Sequence, residues 1–250
     1  LIKSLLTLSN DENTQVIMTT HVPSVAAQIP TESLRLVENN DYGKPIVHVG
    51  DDNIYQKVVD TLGILPDKRA QVAIFVEGPN DVEFLIRASK LYHKEVETLI
   101  DLENDYRIAF IVAGGGNLKH WVDKNYLKNA GLKEVHIYDK DDLEKPKYEK
   151  HIEKVNKREC DDIGFLTSKR EMENYIHEDA INAFFNIDIK TQDSCDVPKL
   201  VKKQVRKKES RVKKLLNTDV MDRLTLKQLK QKDDNQDILK WLEAIRERVS

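Results

Sequence analysis

Cysteine is nearly missing from this chain. Two occur in 250 residues, Cys160 and Cys195, far apart and in no CxxC pair. That fits a reducing cytoplasm and excludes a cysteine-rich zinc ribbon. No apolar run approaches the roughly 20 residues that span a bilayer, so no membrane partner is expected. The opening LIKSLLTLSNDEN has neither an apolar h-region nor a small-residue cleavage site, so no signal peptide is read there. It also has no starting Met, and the expectation is a fragment or a C-terminal portion of something longer. A strong charge of either sign is absent too. The balance of 40 Lys+Arg against 43 Asp+Glu leaves a net charge of -3, which does not announce nucleic acid, although a local basic patch still can.

What is present suits a folded enzyme-sized unit. Apolar residues at 40% suffice for a core, and charged residues at 33% give a well-solvated surface. The length fits one large domain, or one full domain plus part of another. Residues 1–15 read as the end of an amphipathic helix and QVIMTTH as a short buried strand. Pro23 then opens a helix, PSVAAQI. LRLVE and PIVHV flank the turn-rich NNDYGK and predict a β-hairpin. A polar helix and loop over 51–70 mark a boundary. Beyond it strands alternate with helices: VAIFVE, RIAFIVA, VHIYD and IGFLTS, each followed by a helical pattern. That order predicts an α/β fold, a mostly parallel sheet with helices on both faces. From about Val197 the pattern is charged and helical, ending in the amphipathic DILKWLEAIRERVS.

The chemistry sits in a carboxylate series. Glu77 ends the first apolar run of this unit, Asp139 and Asp141 end VHIYDKDD, and Glu171 and Glu173 follow IGFL in KREMENYI. In an open α/β sheet, ligands collect at the carboxyl ends of the strands. Residues two apart on an extended chain share a face, so Asp139 and Asp141 are expected to aim at one ion, and Glu171 with Glu173 likewise if that stretch is extended. Several acids gathered there repel unless cations share their charge, and hard oxygen ligands suit Mg²⁺ or Mn²⁺. Asp81, the last residue of GPND where the turn opens a helix, can reach back as a ligand or serve as a helix cap. Asp142, Glu144, Asp161 and Asp162 are read as solvated charges. GGGN at 114–117 reads as a tight turn rather than a phosphate loop, with Lys119 and His120 as weak backbone-contact candidates. Lys169 and Arg170 are candidates to stabilise a phosphorane-like transition state, with surface solvation as the alternative. Tyr175 is expected to pack or to support its neighbours.

FVEGPNDVEFL followed by IYDKDD resembles the TOPRIM domain, the metal-binding module shared by topoisomerases, bacterial primases and several nucleases. TSKREMENYI resembles the E-x-E-N-Y stretch of OLD-family nucleases, which join an ABC-type ATPase to a C-terminal TOPRIM nuclease domain. VIMTTHVPSVAAQIP looks like the last strand and switch-histidine loop of such an ATPase, with His21 at the histidine position. The resemblance implies three parts: an ATPase remnant over 1–66, a TOPRIM nuclease domain over 70–196, and a helical extension over 197–250. It implies that Glu77 is a metal ligand or general acid/base, that Asp139 and Asp141 are paired metal ligands, and that Asp81, Glu171 and Glu173 complete a two-metal site. It further implies an anti-phage effector, partnered by nucleic acid, oligomeric through its ATPase part and open to an ATPase or phage-sensing partner. No GxxxxGK[ST] and no Walker B strand precede His21, so ATP is expected only where the parent protein or a partner supplies a full ATPase domain.

VPKLVKKQVRKKESRVKKLL carries nine basic residues from Lys199 to Lys214 against one acid, Glu209. Read as one helix, it puts Lys202, Lys203, Arg206 and Lys207 forward for non-specific contact with a phosphate backbone. No aromatic platform accompanies them, so base readout is not indicated. OLD-type nucleases also use a lysine beyond the acids, and this segment offers too many to choose among. The leading expectation is a metal-dependent endonuclease acting on DNA or RNA. Its rivals are a non-catalytic assembly module and another TOPRIM enzyme such as a primase or topoisomerase. The absent zinc module and the limited length speak against the latter.

Overall fold

The computed structural model describes residues 2–9, 14–20, 33–39, 43–49, 69–113, 122 and 132–249. His21, the PSVAAQI segment, most of the 51–70 stretch, GGGN, Lys119 and His120 lie outside the described residues. The first helix, α1, spans Ile2–Ser9. The expected strand at QVIMTTH is not formed: residues 15–20 pair with no strand among the described residues, and Ile17 is 82% exposed. An apolar run without a ladder partner has nowhere to place its backbone groups as a strand. The hairpin is formed. Strands β1 (Arg35–Asn39) and β2 (Pro45–Val49) pair antiparallel, and His48 meets Glu38 across them at 2.6 Å.

The main unit is α/β. Four strands lie in the order β4-β3-β5-β6, all parallel: β3 (Val72–Val76), β4 (Ile108–Val112), β5 (Lys133–Tyr138) and β6 (Ile163–Leu166). Every residue of β3 is buried, which is why VAIFV is apolar without alternation. Successive side chains feed two cores. Val72, Ile74 and Val76 join Phe84, Leu85, Val135 and Ile137 on one face. Ala73 and Phe75 join Tyr138, Tyr148, Ile152 and Val155 on the other.

Helix α2 (Pro79–Glu95) covers the first face. It starts at Pro79, where a missing N–H costs nothing, and ends at Glu95. Helix α3 (Glu149–Asn156) covers the second face, close against β6. A Cβ on Gly164 would lie 2.8 Å from Ile152 Cδ1, and Asn156 exchanges two hydrogen bonds with the Gly164 backbone, at 3.1 and 2.7 Å.

A short 3₁₀ helix, Met172–Tyr175, and α4 (Glu178–Phe185) follow β6. The basic segment is not one helix. It breaks into α5 (Val197–Gln204) and α6 (Glu209–Leu215), with a bend over 205–208. Like charges three and four apart on a continuous helix repel; the bend spreads them and lets Lys202 meet Glu209 at 3.1 Å. A wide π turn, Leu216–Val220, and a 3₁₀ turn, Met221–Arg223, lead to α7 (Leu226–Lys232) and α8 (Asp237–Arg248). Val197, Val201, Val212, Leu216, Leu229, Ile238, Trp241, Leu242 and Ile245 share one core with Phe84, Tyr175 and the sheet. No second core begins at residue 197. No helix among the described residues is long and apolar enough to cross a membrane.

Candidate metal centre

Because the strands are parallel, their carboxyl ends share one rim, and the acids arrive there by three routes. Asp139 follows β5 directly and is buried; its Oδ1 accepts from the Met172 N–H at 2.9 Å, which ties the β5 end to the segment after β6. Glu171 and Glu173 are not on an extended run, as their spacing had suggested. Glu171 is extended, and Glu173 lies inside the 3₁₀ turn. The turn is fixed by Asn174, whose Oδ1 accepts from the Glu171 N–H at 3.1 Å and whose amide donates to the Gln192 and Cys195 carbonyls at 2.7 and 3.0 Å. The outcome is the same: Asp139, Glu171 and Glu173 bring carboxylate oxygens within 4.8 Å of one another.

Asp81 joins this group electrostatically while also capping α2. Its Oδ2 accepts from the Gly78 N–H at 2.8 Å, the cap role, and it is not among the three acids whose oxygens converge within 4.8 Å. Burial, then the Glu173 charge, push its pKa up to about 7. Burial and Glu173 likewise push Glu171 up to about 8. Asp139 is raised well above the usual carboxylate range by burial and by Asp81 and Glu173.

Glu77 and Asp141 form a shallower lobe. Asp141 does not share a face with Asp139, as DKD predicted. Its backbone turns to φ 60°, a left-handed conformation, and its N–H donates to the Arg170 carbonyl at 2.9 Å. The carboxylate is half-exposed and meets Lys147 Nζ at 3.5 Å, and Glu77 Oε2 lies 3.6 Å from the same ammonium. The Tyr148 hydroxyl donates to Glu77 Oε2 at 3.0 Å. Burial raises the Glu77 pKa, with Lys147 and Tyr148 opposing it.

Among the described residues, one cation faces the deep group. Lys213, from α6, places Nζ 3.4 Å from both Glu171 Oε2 and Glu173 Oε1. Burial works against its charge, but Glu173, Asp139, Glu171 and Asp81 outweigh it and raise its pKa. Three buried carboxylate oxygens at this rim have no hydrogen-bond partner among the described residues: Glu77 Oε1, Glu171 Oε1 and Glu173 Oε2. Buried carboxylate oxygens without donors are what a hard divalent cation satisfies, so the donor set fits Mg²⁺ or Mn²⁺.

Other expectations fall elsewhere. Lys169 is buried and neutralised by Asp193 and Asp234 at 2.6 and 3.0 Å, away from the acids. Arg170 faces Asp196 at 3.9 Å. Asp162, read as solvated, is half-buried with its carboxylate turned inward: it pairs with Arg158 at 2.8 Å and accepts from the Glu134 N–H at 2.9 Å. Tyr175 is fully buried, donates to Asp237 and packs edge-on against Trp241. Lys203, Arg206 and Lys207 are exposed and make no ion pair among the described residues, and Lys202 is held by Glu209.

Lys213, Asn217, Lys147 and Tyr148 were not singled out from the sequence. A signal existed for the first two: Val212, Leu216 and Val220 form an i, i+4, i+8 apolar stripe, and Lys213 and Asn217 repeat that spacing one position on.

No family model, curated protein or solved structure matches the chain.

Proposed function

We propose that this chain is a two-metal nuclease of the TOPRIM type found in OLD-family proteins, hydrolysing phosphodiester bonds in DNA. The observation that carries the reading is the meeting of Asp139, Glu171 and Glu173 at the strand-end rim, with buried oxygens left unpartnered and one lysine against them. Asp81, Asp139, Glu171 and Glu173 would hold one Mg²⁺ or Mn²⁺, and Glu77 with Asp141 would help hold a second. When bound, such ions polarise the phosphate and lower the pKa of a water.

The remaining roles belong to the protein. Glu77 suits a proton acceptor: Oε2 is oriented by Tyr148, Oε1 is unpartnered, and burial raises its basicity. Lys213 stays protonated and counters charge developing on the phosphorane. The exposed Lys203, in the last turn of α5, and Arg206 and Lys207, on the bend just before α6, suit the flanking backbone, and Lys202 contributes if it leaves Glu209. The family resemblance adds the context of an ATPase-gated anti-phage effector, in which ATP would act through a partner or parent domain.

Incubation of the purified chain with plasmid DNA and Mn²⁺ or Mg²⁺ tests this, with Asp139→Ala beside the wild type. Cutting by the wild type and a loss of at least about 10³-fold in the variant are expected. Equal cutting by both sinks the site. No cutting by either, with normal folding, favours an assembly module instead.

A further inference from the structure

Asn217 is fully buried in the π turn after α6. Its Nδ2 donates to Glu173 Oε1 at 2.5 Å and to the Lys213 carbonyl at 2.9 Å. Both partners only accept, so the amide orientation is determined: nitrogen toward Glu173, oxygen away. That oxygen, Oδ1, is buried and unpartnered among the described residues. Its helical neighbours Val212, Leu216 and Val220 are apolar and buried. A leucine here would extend their stripe without an unsatisfied polar atom. A buried asparagine with half its amide unused is a poor choice for stability alone.

Its bond to Glu173 supplies another reason. Lys213 and Asn217 both address Glu173 Oε1, and Oε2 is left buried without a partner. A neutral donor fixes the carboxylate without cancelling its charge, which a second lysine would do. The wide turn supports this, because Lys213 and Asn217, four apart, lie one above the other toward the same glutamate.

We propose that Asn217 is a positioning residue of the cation site, holding Glu173 so that one of its oxygens stays available to a divalent ion. This rests on the reading of the acid group as a metal centre. Asn217 touches neither substrate nor ion; it acts through Glu173, and the Lys213 carbonyl anchors it to the end of α6.

The test is Mn²⁺ affinity by calorimetry on the full chain, for wild type, Asn217→Leu, Glu173→Ala and the double variant. Asn217→Leu keeps the number and branching of the side-chain heavy atoms and removes the donor. It is expected to weaken Mn²⁺ binding about 10-fold or more, as loss of a ligand-orienting partner does. In the Glu173→Ala background the same change is expected to have no further effect, because a residue acting through Glu173 has nothing left to hold. Asn217→Ala gives the same comparison should the leucine variant fail to fold. Unchanged affinity in the folded single variant overturns the proposal, and so does an equal loss in both backgrounds. A wild type that binds no Mn²⁺ sinks the metal centre itself, and this role with it.

Discussion

Two groups of charged side chains are buried against this sheet, and they are built on opposite plans. On the α3 face, Glu134, His136, Arg158 and Asp162 form a charge-paired network, in which Glu134 Oε1 alone stays without a partner among the described residues. Arg158 Nη1 lies 2.6 Å from Glu134 and 2.8 Å from Asp162, and Glu134 also meets His136 Nε2 at 2.8 Å. His136 is stacked on Phe75, and its other nitrogen meets the Tyr138 hydroxyl at 2.6 Å. Burial keeps His136 below its usual pKa; burial opposes ionisation of Asp162, but Cys160, the Glu134 N–H and Arg158 hold it below the usual range. At the strand-end rim, four acids share one half-buried lysine among the described residues, and three of their pKa values are pushed up. Burial is common to both groups. What separates a structural network from a site is charge left uncompensated, which an added cation relieves.

The comparison breaks most readily at Arg158. Arg158→Met leaves Glu134 and Asp162 buried without their cation, and removing one partner of a buried pair costs about 3–5 kcal/mol. Urea denaturation is expected to show that loss, while Mn²⁺ affinity of the folded protein stays at the wild-type level. A nearly neutral variant would show that the network is less tightly coupled than its distances suggest. A loss of Mn²⁺ affinity would show that the two faces are not independent.

Lys213→Met is the matching change at the rim, and its consequence is expected in activity. Loss of a charge-stabilising group costs about 10²–10³ in rate. Mn²⁺ affinity is expected to hold or rise, since a competing positive charge is gone. Plasmid cleavage and calorimetry on one preparation separate the two effects. A variant that loses fold and metal together would place Lys213 beside Arg158, as a compensating charge.

The sequence carried the strands and the acids further than it carried their geometry. VAIFV was legible because a parallel strand buried on both faces is an unbroken apolar run, and VHIY and IGFL because short, largely apolar runs recur between helical patterns. Glu77, Asp139, Glu171 and Glu173 were legible because strand ends mark the rim. Asp141 was misread because period-two reasoning assumes extended backbone, and φ turns positive at that residue. Glu173 reached its place through a 3₁₀ turn that depends on Asn174 reaching Gln192 and Cys195, a tertiary event with no local signature. Lys213 was hidden among equals: nine basic residues look alike until the bend at 205–208 turns one of them inward. Asp162 looked solvated because its partner Arg158 comes from within the charged stretch that also suggested exposure.

The smallest effect, and the one that sharpens the contrast, is in pH. Burial and then the Glu173 charge push Asp81 up to about 7 and Glu171 up to about 8, from ordinary values of 3.8 and 4.5. Between about pH 4 and about 8 the folded chain therefore holds more protons than the unfolded one, and unfolding free energy falls as pH rises through that window. Below it both states are protonated and the contribution is complete; above it both are ionised and it is lost. Asp162 acts in the opposite sense: its stabilisation is present above about pH 4 and disappears in acid, as its depressed folded pKa is crossed. A divalent ion prefers the ionised acids, so its stabilisation grows as pH rises toward 8. Thermal melts in EDTA are expected to decline by several degrees from about pH 5 to about 8, on a scale of about 2–4 °C per kcal/mol for a chain of this size. Saturating Mg²⁺ is expected to flatten or reverse that decline, with the gap widest at the alkaline end. A flat EDTA curve across the window would mean that the rim acids ionise at ordinary values. The uncompensated charge that distinguishes them from the Arg158 network would then be absent.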